Sequence, residues 1–449
     1  NGQVQLTYNI NYNRRVSDKK TYNFNYDYNL YNLLDTSLSN VFESNYLTHQ
    51  AGISYRIRLN NDKFNFNFGI NYESATLIND QEFPNVQHVN KTFANFLPYA
   101  MMRYGTGRNN GIRLFYRTSF DPPSVTQLQN VIDNSNPLRL STGNPDLLPS
   151  YNHRFSINYN RTNLTKGTTL FTALNFTITV NDVVNQVIYA NNDTTIYFYS
   201  SESLIQNKID LARGVQLTRP VNTSGRLNFS SFITYGKPIK LIKSNLNFNI
   251  LYNYSQTPGL INNQKSFTYQ NSIGGGLVIS SNISQNIDFT ISSNSIYNIV
   301  KNQLNKQQNQ NYFTEYLTFN GNFTLLKSFV IRTDISYQLY KGLSGVYDPD
   351  YILWNFSIGK KLFKNKRGEL RLTIYDILKQ NNSLSRNINE LYVEDVNNLV
   401  IKQYAMITFV YNLRAYQSNQ NNNQQRNQQP LPPGIFPGPP PGGGFMPPQ

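Results

Sequence analysis

The stretch KFNFNFGINY, from Lys63 to Tyr72, shows most clearly the alternation that runs through this chain. Every second side chain in it is apolar, and Asn or Gly stands in between. Because successive side chains of a β-strand point to opposite faces of its sheet, the stretch predicts a strand with one apolar face and one uncharged polar face. Such a strand suits a sheet that contacts lipid on one side and water on the other.

The same alternation recurs along the chain, for example in QVQLTYNINY from Gln3, SNLNFNILYNY from Ser244 and YAMITFVYNL from Tyr404. Counting these segments predicts about 17 strands, most of about 10 to 14 residues, a length that fits strands tilted across a bilayer. Lipid offers no partners to backbone N–H and C=O groups, so strands with so long an apolar face have to close into a barrel. The sequence therefore predicts an all-β protein, a transmembrane antiparallel β-barrel.

The connections between these segments alternate between short turns and longer loops, which places all the long loops at one end of the sheet. Barrels of the outer membrane show this asymmetry, with short periplasmic turns and long extracellular loops. A soluble β-sandwich or a β-solenoid is the alternative, but neither explains loops that are long at one end only. Long connections are predicted at about residues 34–47, 76–90, 120–147, 181–222, 255–265, 299–310, 341–350 and 379–399.

The same alternation predicts the orientation of the chain. The last strand enters from a long connection and should finish in the periplasm, whereas the first strand ends at a predicted short turn, residues 14–20, and should start outside. Since complete barrels normally begin and end in the periplasm, residues 1–416 are predicted to be an N-terminally incomplete barrel. A second chain that supplies the remaining strands is the alternative.

Residues 417–449 differ in composition from the rest of the chain. They form an Asn/Gln-rich tract and then a Pro/Gly-rich one, which predicts a disordered tail in the periplasm. On composition the tail is a solvated tether, and binding to a periplasmic or outer-membrane partner is the other interpretation.

Composition excludes several classes of protein. Hydrophobic residues make up 39% of the 449 residues and mean hydropathy is -0.50. No run of about 18 apolar residues is present, which excludes a bundle of membrane-spanning helices. Cys is absent, which excludes disulfides and thiolate metal sites. The net charge of +15 is spread along the chain, so an anionic membrane surface or an anionic solute is favoured over nucleic acid.

Two blocks resemble TonB-dependent receptor-like outer-membrane β-barrel proteins of the Bacteroidota type. The first, DPPSVTQLQNVIDNSNPLRLSTGNPDLLPSYNHRFSINY from Asp121, is similar to a segment in which a Pro-Ser-x-x-Gln-Leu run and a Gly-Asn-Pro-x-Leu turn lead into a strand. The second, which starts LTIYDILKQNN at Leu372, is similar to the family's end, where a Ser-x-x-Arg loop precedes an aromatic final strand.

This resemblance implies a 22-strand barrel, a plug domain in its lumen, and uptake of a bound solute energised by TonB. It also implies an integral protein of the Gram-negative outer membrane that contacts lipid and lipopolysaccharide. An aromatic final strand resembles the signal by which the barrel-assembly machinery recognises its clients. The residues expected to close the barrel are Ile407, Phe409, Tyr411 and Leu413.

Several cations fall on the faces opposite the apolar ones, and in a barrel they point into the lumen. There they are expected either to favour anionic solutes and pair with acidic groups of a plug, or to pair with nearby Glu and Asp or stay hydrated. The candidate lumen cations are Arg56, Arg58, Arg113, Arg117, Arg154 and Arg371.

The sequence favours no enzyme and predicts no catalytic residue, metal or cofactor. His49, His88 and His153 are not spaced as metal ligands, and a lipase-like group with His153 as its base is the alternative. Carboxylates in the 120–147 loop, such as Asp121, Asp133 and Asp146, mostly serve to cap turns, and a Ca²⁺ site is the less favoured interpretation.

Two other functions remain open for the same barrel. It is either a structural or accessory subunit of a larger outer-membrane complex, or a passive porin.

Overall fold

The computed structural model describes residues 2–59, 63–83, 86–105, 110–128, 132–133, 136–198, 207–281, 283–284, 286–342, 350–364, 366–381, 383–388 and 393–413. The tail 417–449 lies outside these residues, and so does most of the predicted long connection at 341–350.

Strands dominate the described residues, as the period-two pattern predicts, with one short α-helix, α1 (Val125–Leu128). The strands in chain order are β1 (Gly2–Asn25), β2 (Leu30–Leu59), β3 (Phe64–Phe83), β4 (Gln87–Tyr104), β5 (Asn110–Asp121), β6 (Arg139–Ser141), β7 (Ser150–Asn163), β8 (Thr168–Val180), β9 (Asp182–Tyr189), β10 (Thr194–Phe198), β11 (Asn207–Leu211), β12 (Gln216–Thr223), β13 (Arg226–Ile239), β14 (Ser244–Ile261), β15 (Gln264–Ser281), β16 (Ile287–Asn302), β17 (Gln310–Leu325), β18 (Phe329–Lys341), β19 (Asp350–Leu362), β20 (Gly368–Tyr375), β21 (Ser383–Ile388), β22 (Val393–Asn398) and β23 (Tyr404–Tyr411). Two single 3-10 turns, Lys240–Ile242 and Lys306–Gln308, interrupt the connections.

One sheet of 19 strands contains almost all of this structure. Sixteen of its strands form an antiparallel meander in the order β1 to β5, β7, β8, β13 to β20 and β23. Within the described residues β1 pairs only with β2 and β23 only with β20, so these two strands are the edges of the sheet. No helix in that part of the chain is both long and apolar enough to cross a membrane.

The register gives the meander two chemically different faces. Leu6 lies opposite Ile53, and Ile53 lies opposite Ile70, so the apolar side chains of neighbouring strands share one face. We call this the outer face; its large apolar side chains are widely exposed, with Leu6 at 76% and Ile250 at 59%. The opposite, inner face carries mostly Asn, Ser, Thr, Gln and Arg. The sequence predicts both faces correctly.

The first hairpin differs from the prediction. Residues 14–20, predicted as a short turn, are part of β1, and residues 34–47, predicted as a long loop, are part of β2. The chain turns instead at residues 26–29, where Asn25 Oδ1 accepts a hydrogen bond from Asp27 N and Asn29 takes a left-handed φ of 54°. Where the sequence predicts three strands before residue 60, the structure therefore has two, β1 and β2. The meander consequently has an even number of strands instead of the predicted odd number.

This change also corrects the predicted orientation. Gly2 lies opposite Ile57, close to where β2 leads into β3, and Tyr411 lies opposite Gly368, close to where β19 leads into β20. Both the start of β1 and the end of β23 are thus at the end of the sheet that carries the predicted short turns, which we call the turn end. The prediction that the first strand starts at the opposite, loop end is wrong, because it rested on an odd number of strands.

Most connections at the loop end are shorter than predicted. The predicted loops at 76–90 and 255–265 are largely extended, and β14 and β15 are joined by a two-residue turn at Asn262 and Asn263, both with left-handed φ. Besides 376–403, the long connections are 122–149 and 181–225, and these two fold together. Their described parts, with α1, β6 and β9 to β12, form a substructure that we call the cap.

Candidate functional site

The cap folds against the inner face of the sheet. Leu128 of α1 and Leu147 are 1% and 2% exposed, and both belong to a buried cluster with Ala75, Leu77, Val89, Phe93, Leu97 and Phe120. Phe93 lies opposite Ala75, and Leu97 opposite the inner-face residue Asn71, so these strand residues share the inner face. Burial of each leucine contributes about 1.5–3 kcal/mol. We call this group the anchor cluster.

Hydrogen bonds join the two connections of the cap to each other. Asn144 Nδ2 donates to Pro220 O at 3.0 Å, and Arg219 Nη2 donates to Asn144 Oδ1 at 2.8 Å. Asn222 Nδ2 donates to Leu148 O, and Leu148 N donates to Asn222 Oδ1, each at 2.8 Å. β6 of the first connection also pairs in parallel with β12 of the second.

A second buried cluster stabilises the cap itself. It consists of Ala190, Ile209, Leu211, Val215 and Leu217, with Leu140 of β6 packed against it. β9 also pairs in parallel with the loop end of β14, where Leu260 lies opposite Gln186. The cap therefore has a core of its own and two attachments to the sheet.

A groove of about 750 Å³ lies on the cap and is lined by amide and aromatic side chains together with Arg219. The Arg219 guanidinium carbon lies 4.4 Å from the centre of the Phe198 ring, within cation–π distance. Burial lowers the pKa of Arg219, but an arginine stays charged at neutral pH. The groove thus offers one positive charge, Arg219, and one carboxylate, Asp193, among amide and aromatic groups.

An inner cavity of about 230 Å³ lies next to the anchor cluster, because Leu97 and Phe120 line both. Its polar lining includes Glu73, Tyr99 and Arg117, and Gln50 Nε2 donates to Glu73 Oε2 at 2.9 Å. Tyr99 lies opposite Arg117 in the β4–β5 register. The cap therefore packs beside a small polar cavity on the inner face.

All six candidate lumen cations lie on the inner face by register. Arg56 lies opposite Asn67 and Arg58 opposite Asn65, both near the turn end. Arg113 lies directly opposite Arg103, and Arg117 directly opposite Arg154.

Arg371 differs from the other candidates because it lies beside an acid. Its Nε is 3.2 Å from Glu369 Oε1, and the same carboxylate accepts two hydrogen bonds from Arg332, at 2.6 and 3.1 Å. On this part of the inner wall, β18 to β20, one glutamate lies within ion-pair distance of two arginines, while Arg371 Nε makes no hydrogen bond in the structure.

The final strand pairs with β20 along its whole length, and three of its four predicted barrel-closing residues lie within it. Ile407 lies opposite Leu372 and Phe409 opposite Leu370, so both are on the outer face. Tyr411 ends the strand, while Leu413 lies beyond it and is 83% exposed. Their role in barrel assembly stays a prediction.

The three histidines contact Tyr or Asp side chains. Tyr8 Oη lies 2.8 Å from His49 Nδ1, Tyr116 Oη lies 3.0 Å from His153 Nδ1, and Asp80 Oδ1 lies 2.5 Å from His88 Nδ1. In the described part of the chain no group of three or more His, Asp or Glu is placed to hold a metal ion.

The three carboxylates of the predicted 120–147 loop make separate contacts, Asp121 at the end of β5 and the other two in the cap. Asp121 Oδ2 accepts from Asn152 Nδ2 at 2.7 Å, Asp133 pairs through its backbone with Ser141, and Asp146 N donates to Asn144 Oδ1. The structure thus does not bring the candidate Ca²⁺ ligands together.

Sequence reasoning missed three features of the site. The inward position of Arg103 could have been predicted from the sequence, because every second residue of β4, counted back from Arg103, lies on the inner face. The contact of Glu369 with Arg332 and Arg371 needs the register of three strands. Leu128 and Leu147 lie in an irregular connection with no periodic pattern, so no sequence signal marked them as buried.

Comparison with known families gives one result. The model of a family described as "Outer membrane protein beta-barrel family" matches residues 1–272 and again residues 266–411, which together include every strand described above. No curated protein matches the chain.

Proposed function

Because the chain belongs to the outer membrane protein beta-barrel family and is an integral protein of the outer membrane, we propose that it is a TonB-dependent receptor-type barrel. It takes up a bound solute through the lumen, and a plug and TonB are its partners in energising the step. The observation that carries this proposal is the cap, since two long connections fold inward onto the inner wall and pack beside a polar cavity there.

An inward cap supports gated uptake over free diffusion. A passive porin needs an open bore, whereas here Leu128 and Leu147 fasten loop structure to the inner face. The resemblance of the 121–159 block and of the final strand to TonB-dependent receptor-like barrels supports the energised form of transport.

A structural role in an outer-membrane complex is the second candidate. It is favoured by the composition of residues 417–449, a Pro/Gly-rich tail that suits contact with a partner in the periplasm. We propose no catalytic role.

Genetic epistasis tests the uptake proposal. Strains lacking the native gene are grown in competition with the parent on defined media that each limit phosphate, carbon, nitrogen or iron, with and without a functional TonB. The proposal predicts that loss of the gene slows growth relative to the parent in at least one medium. In strains that lack TonB, loss of the gene should cause no further slowing, because both losses block the same step. A defect that adds to the loss of TonB contradicts it.

Two further measurements separate the rivals. Recovery of a stable partner that is lost on deletion of residues 417–449 supports the structural role. Large, steady conductance of the native full-length protein in a planar bilayer supports the porin.

A further inference from the structure

Two pairs of arginines lie directly opposite each other on the inner wall. Arg103 of β4 faces Arg113 of β5, and Arg117 of β5 faces Arg154 of β7. The Cβ atoms of directly opposed residues in an antiparallel pair lie about 4.5–5.5 Å apart, and like charges in that position repel. Two such pairs on three adjoining strands concentrate positive charge in one part of the wall.

Three of these four arginines, Arg113, Arg117 and Arg154, lack a close carboxylate in the described part of the chain, although Arg117 shares its cavity with Glu73 and is attracted to it. On β18 to β20 the inner arginines Arg332 and Arg371 contact Glu369. Among the described residues no ion pair within 4.0 Å involves Arg113, Arg117 or Arg154. The side chains of these three arginines are exposed on the inner face.

The arginine pairs extend along β5 from the inner cavity toward the turn end. Arg117 lines that cavity, and Arg113 lies four residues along β5 toward the turn end, about 13 Å away at strand spacing. Arg56, closer to the turn end of β2, has a buried Nε that makes no hydrogen bond in the structure. Guanidinium groups therefore follow the wall from the cavity toward the periplasmic end.

From this arrangement we propose that the solute is an anion, carrying phosphate or carboxylate groups that bind between opposed arginines. The planar guanidinium donates two parallel hydrogen bonds to such groups, and an anion between two arginines also removes their repulsion. The proposal rests on the uptake function above and names its substrate class.

Isothermal titration calorimetry on the full chain in detergent at low salt tests this directly, with inorganic pyrophosphate and citrate as the probes. The wild type is expected to bind at least one of them, and the preference between the two shows whether phosphate or carboxylate is recognised. R117Q/R154Q should weaken that binding about tenfold or more, because charge-assisted hydrogen bonds are lost. The control K240Q/K243Q removes the same charge from an exposed turn and should bind as the wild type does.

The unfolding temperature gives a second readout that does not depend on the double variant folding. Pyrophosphate or citrate should raise the unfolding temperature of the wild type at constant ionic strength, whereas sucrose at the same concentration should not. R117K/R154K keeps both positive charges but lacks the planar guanidinium groups, so its binding of the anion should be several-fold weaker.

Absence of binding by both anions overturns the proposal, and so does equal weakening by K240Q/K243Q. The uptake function is tested separately by the TonB epistasis, which does not depend on the charge of the solute. If the anions bind but the TonB epistasis is absent, the anion site stands and the proposal of energised uptake is wrong.

Discussion

Arg219 Nη2 donates a hydrogen bond to Asn144 Oδ1 at 2.8 Å, and the two residues belong to different long connections of the same barrel wall. Asn144 is 7% exposed, and its Nδ2 also donates to Pro220 O, so one buried amide holds both connections. The cap depends on this contact and on the anchor cluster for its position against the inner wall, next to the inner cavity.

Replacing Asn144 with Ala should loosen the cap without unfolding the sheet. The change removes three side-chain hydrogen bonds, to Pro220 O and from Arg219 and Asp146 N, and leaves the Arg219 guanidinium without its amide acceptor, at a cost of about 1–3 kcal/mol. Limited trypsin digestion at Arg139 should then speed up about tenfold, since 1.4 kcal/mol is tenfold in the open population. The exposed groove residue Asn192 provides the control: if N192A is cleaved as fast as N144A, the amide does not hold the cap.

Leu147 and Leu148 offer a matched test of the anchor cluster. Leu147 is 2% exposed in the cluster, and its neighbour Leu148 is 55% exposed. L147A should destabilise the docked cap by about 2–5 kcal/mol, the usual cost of a buried Leu→Ala change, and L148A should have little effect. Hydrogen exchange of the 136–149 amides measures both, and similar exchange in the two variants would show that the cap is not docked there.

Much of the sheet was predictable from local pattern. Alternation places Arg56, Arg113, Arg117 and Arg154 on the correct face, because side-chain direction in a strand depends only on sequence parity. The first hairpin was not predictable in this way, since residues 34–47 lack clear alternation and their pairing with β1 decides that they are extended. The cap depends on contacts between connections about 75 residues apart, and Leu128 and Leu147 have no neighbours in sequence that mark them as buried.

Glu43 should stay ionised well below the usual range of a glutamate. It lies opposite Val16 on the β1–β2 hairpin, farther from the turn end of β2 at Leu59 than the roughly 9–11 residues that cross a bilayer. Hydrogen bonds from Arg14 and then Asn45 lower its pKa to about 2. The Arg14–Glu43 pair therefore supports the β1–β2 extension at pH above the ordinary glutamate pKa, and this support is lost as pH falls through about 2.

Carbon-13 NMR of labelled Glu carboxyls checks this value. In R14Q, which lacks the guanidinium, the Glu43 pKa should rise toward 4.5, its ordinary value. A Glu43 titration near pH 4.5 in the wild type would show that the pair does not form in solution.

Glu369 should be important for the stability of the β18–β20 wall. E369Q leaves Arg332 and Arg371 without their carboxylate, and the loss of charge-assisted hydrogen bonds should lower the free energy of unfolding by about 2 kcal/mol. Urea unfolding from lipid vesicles measures the change. R332Q/E369Q should recover part of the loss because only Arg371 then lacks its carboxylate, and additive losses would argue against a direct Arg332–Glu369 pair.

The central claim is that the outer face of the meander contacts lipid, and the single Trp of the chain reports on it. Trp354 lies opposite Ile335 on the outer face of β19, and its Nε1 donates to Thr333 Oγ1. In vesicles, brominated lipids should quench most Trp354 fluorescence and aqueous acrylamide little of it. Two variants place the single Trp at adjacent positions of β14 instead of at 354. W354F/Y252W has its Trp on the outer face and should be quenched by the lipid, whereas W354F/N253W has it on the inner face and should be quenched by acrylamide. Strong acrylamide quenching of Trp354 and Y252W with no effect of brominated lipid would contradict the claim.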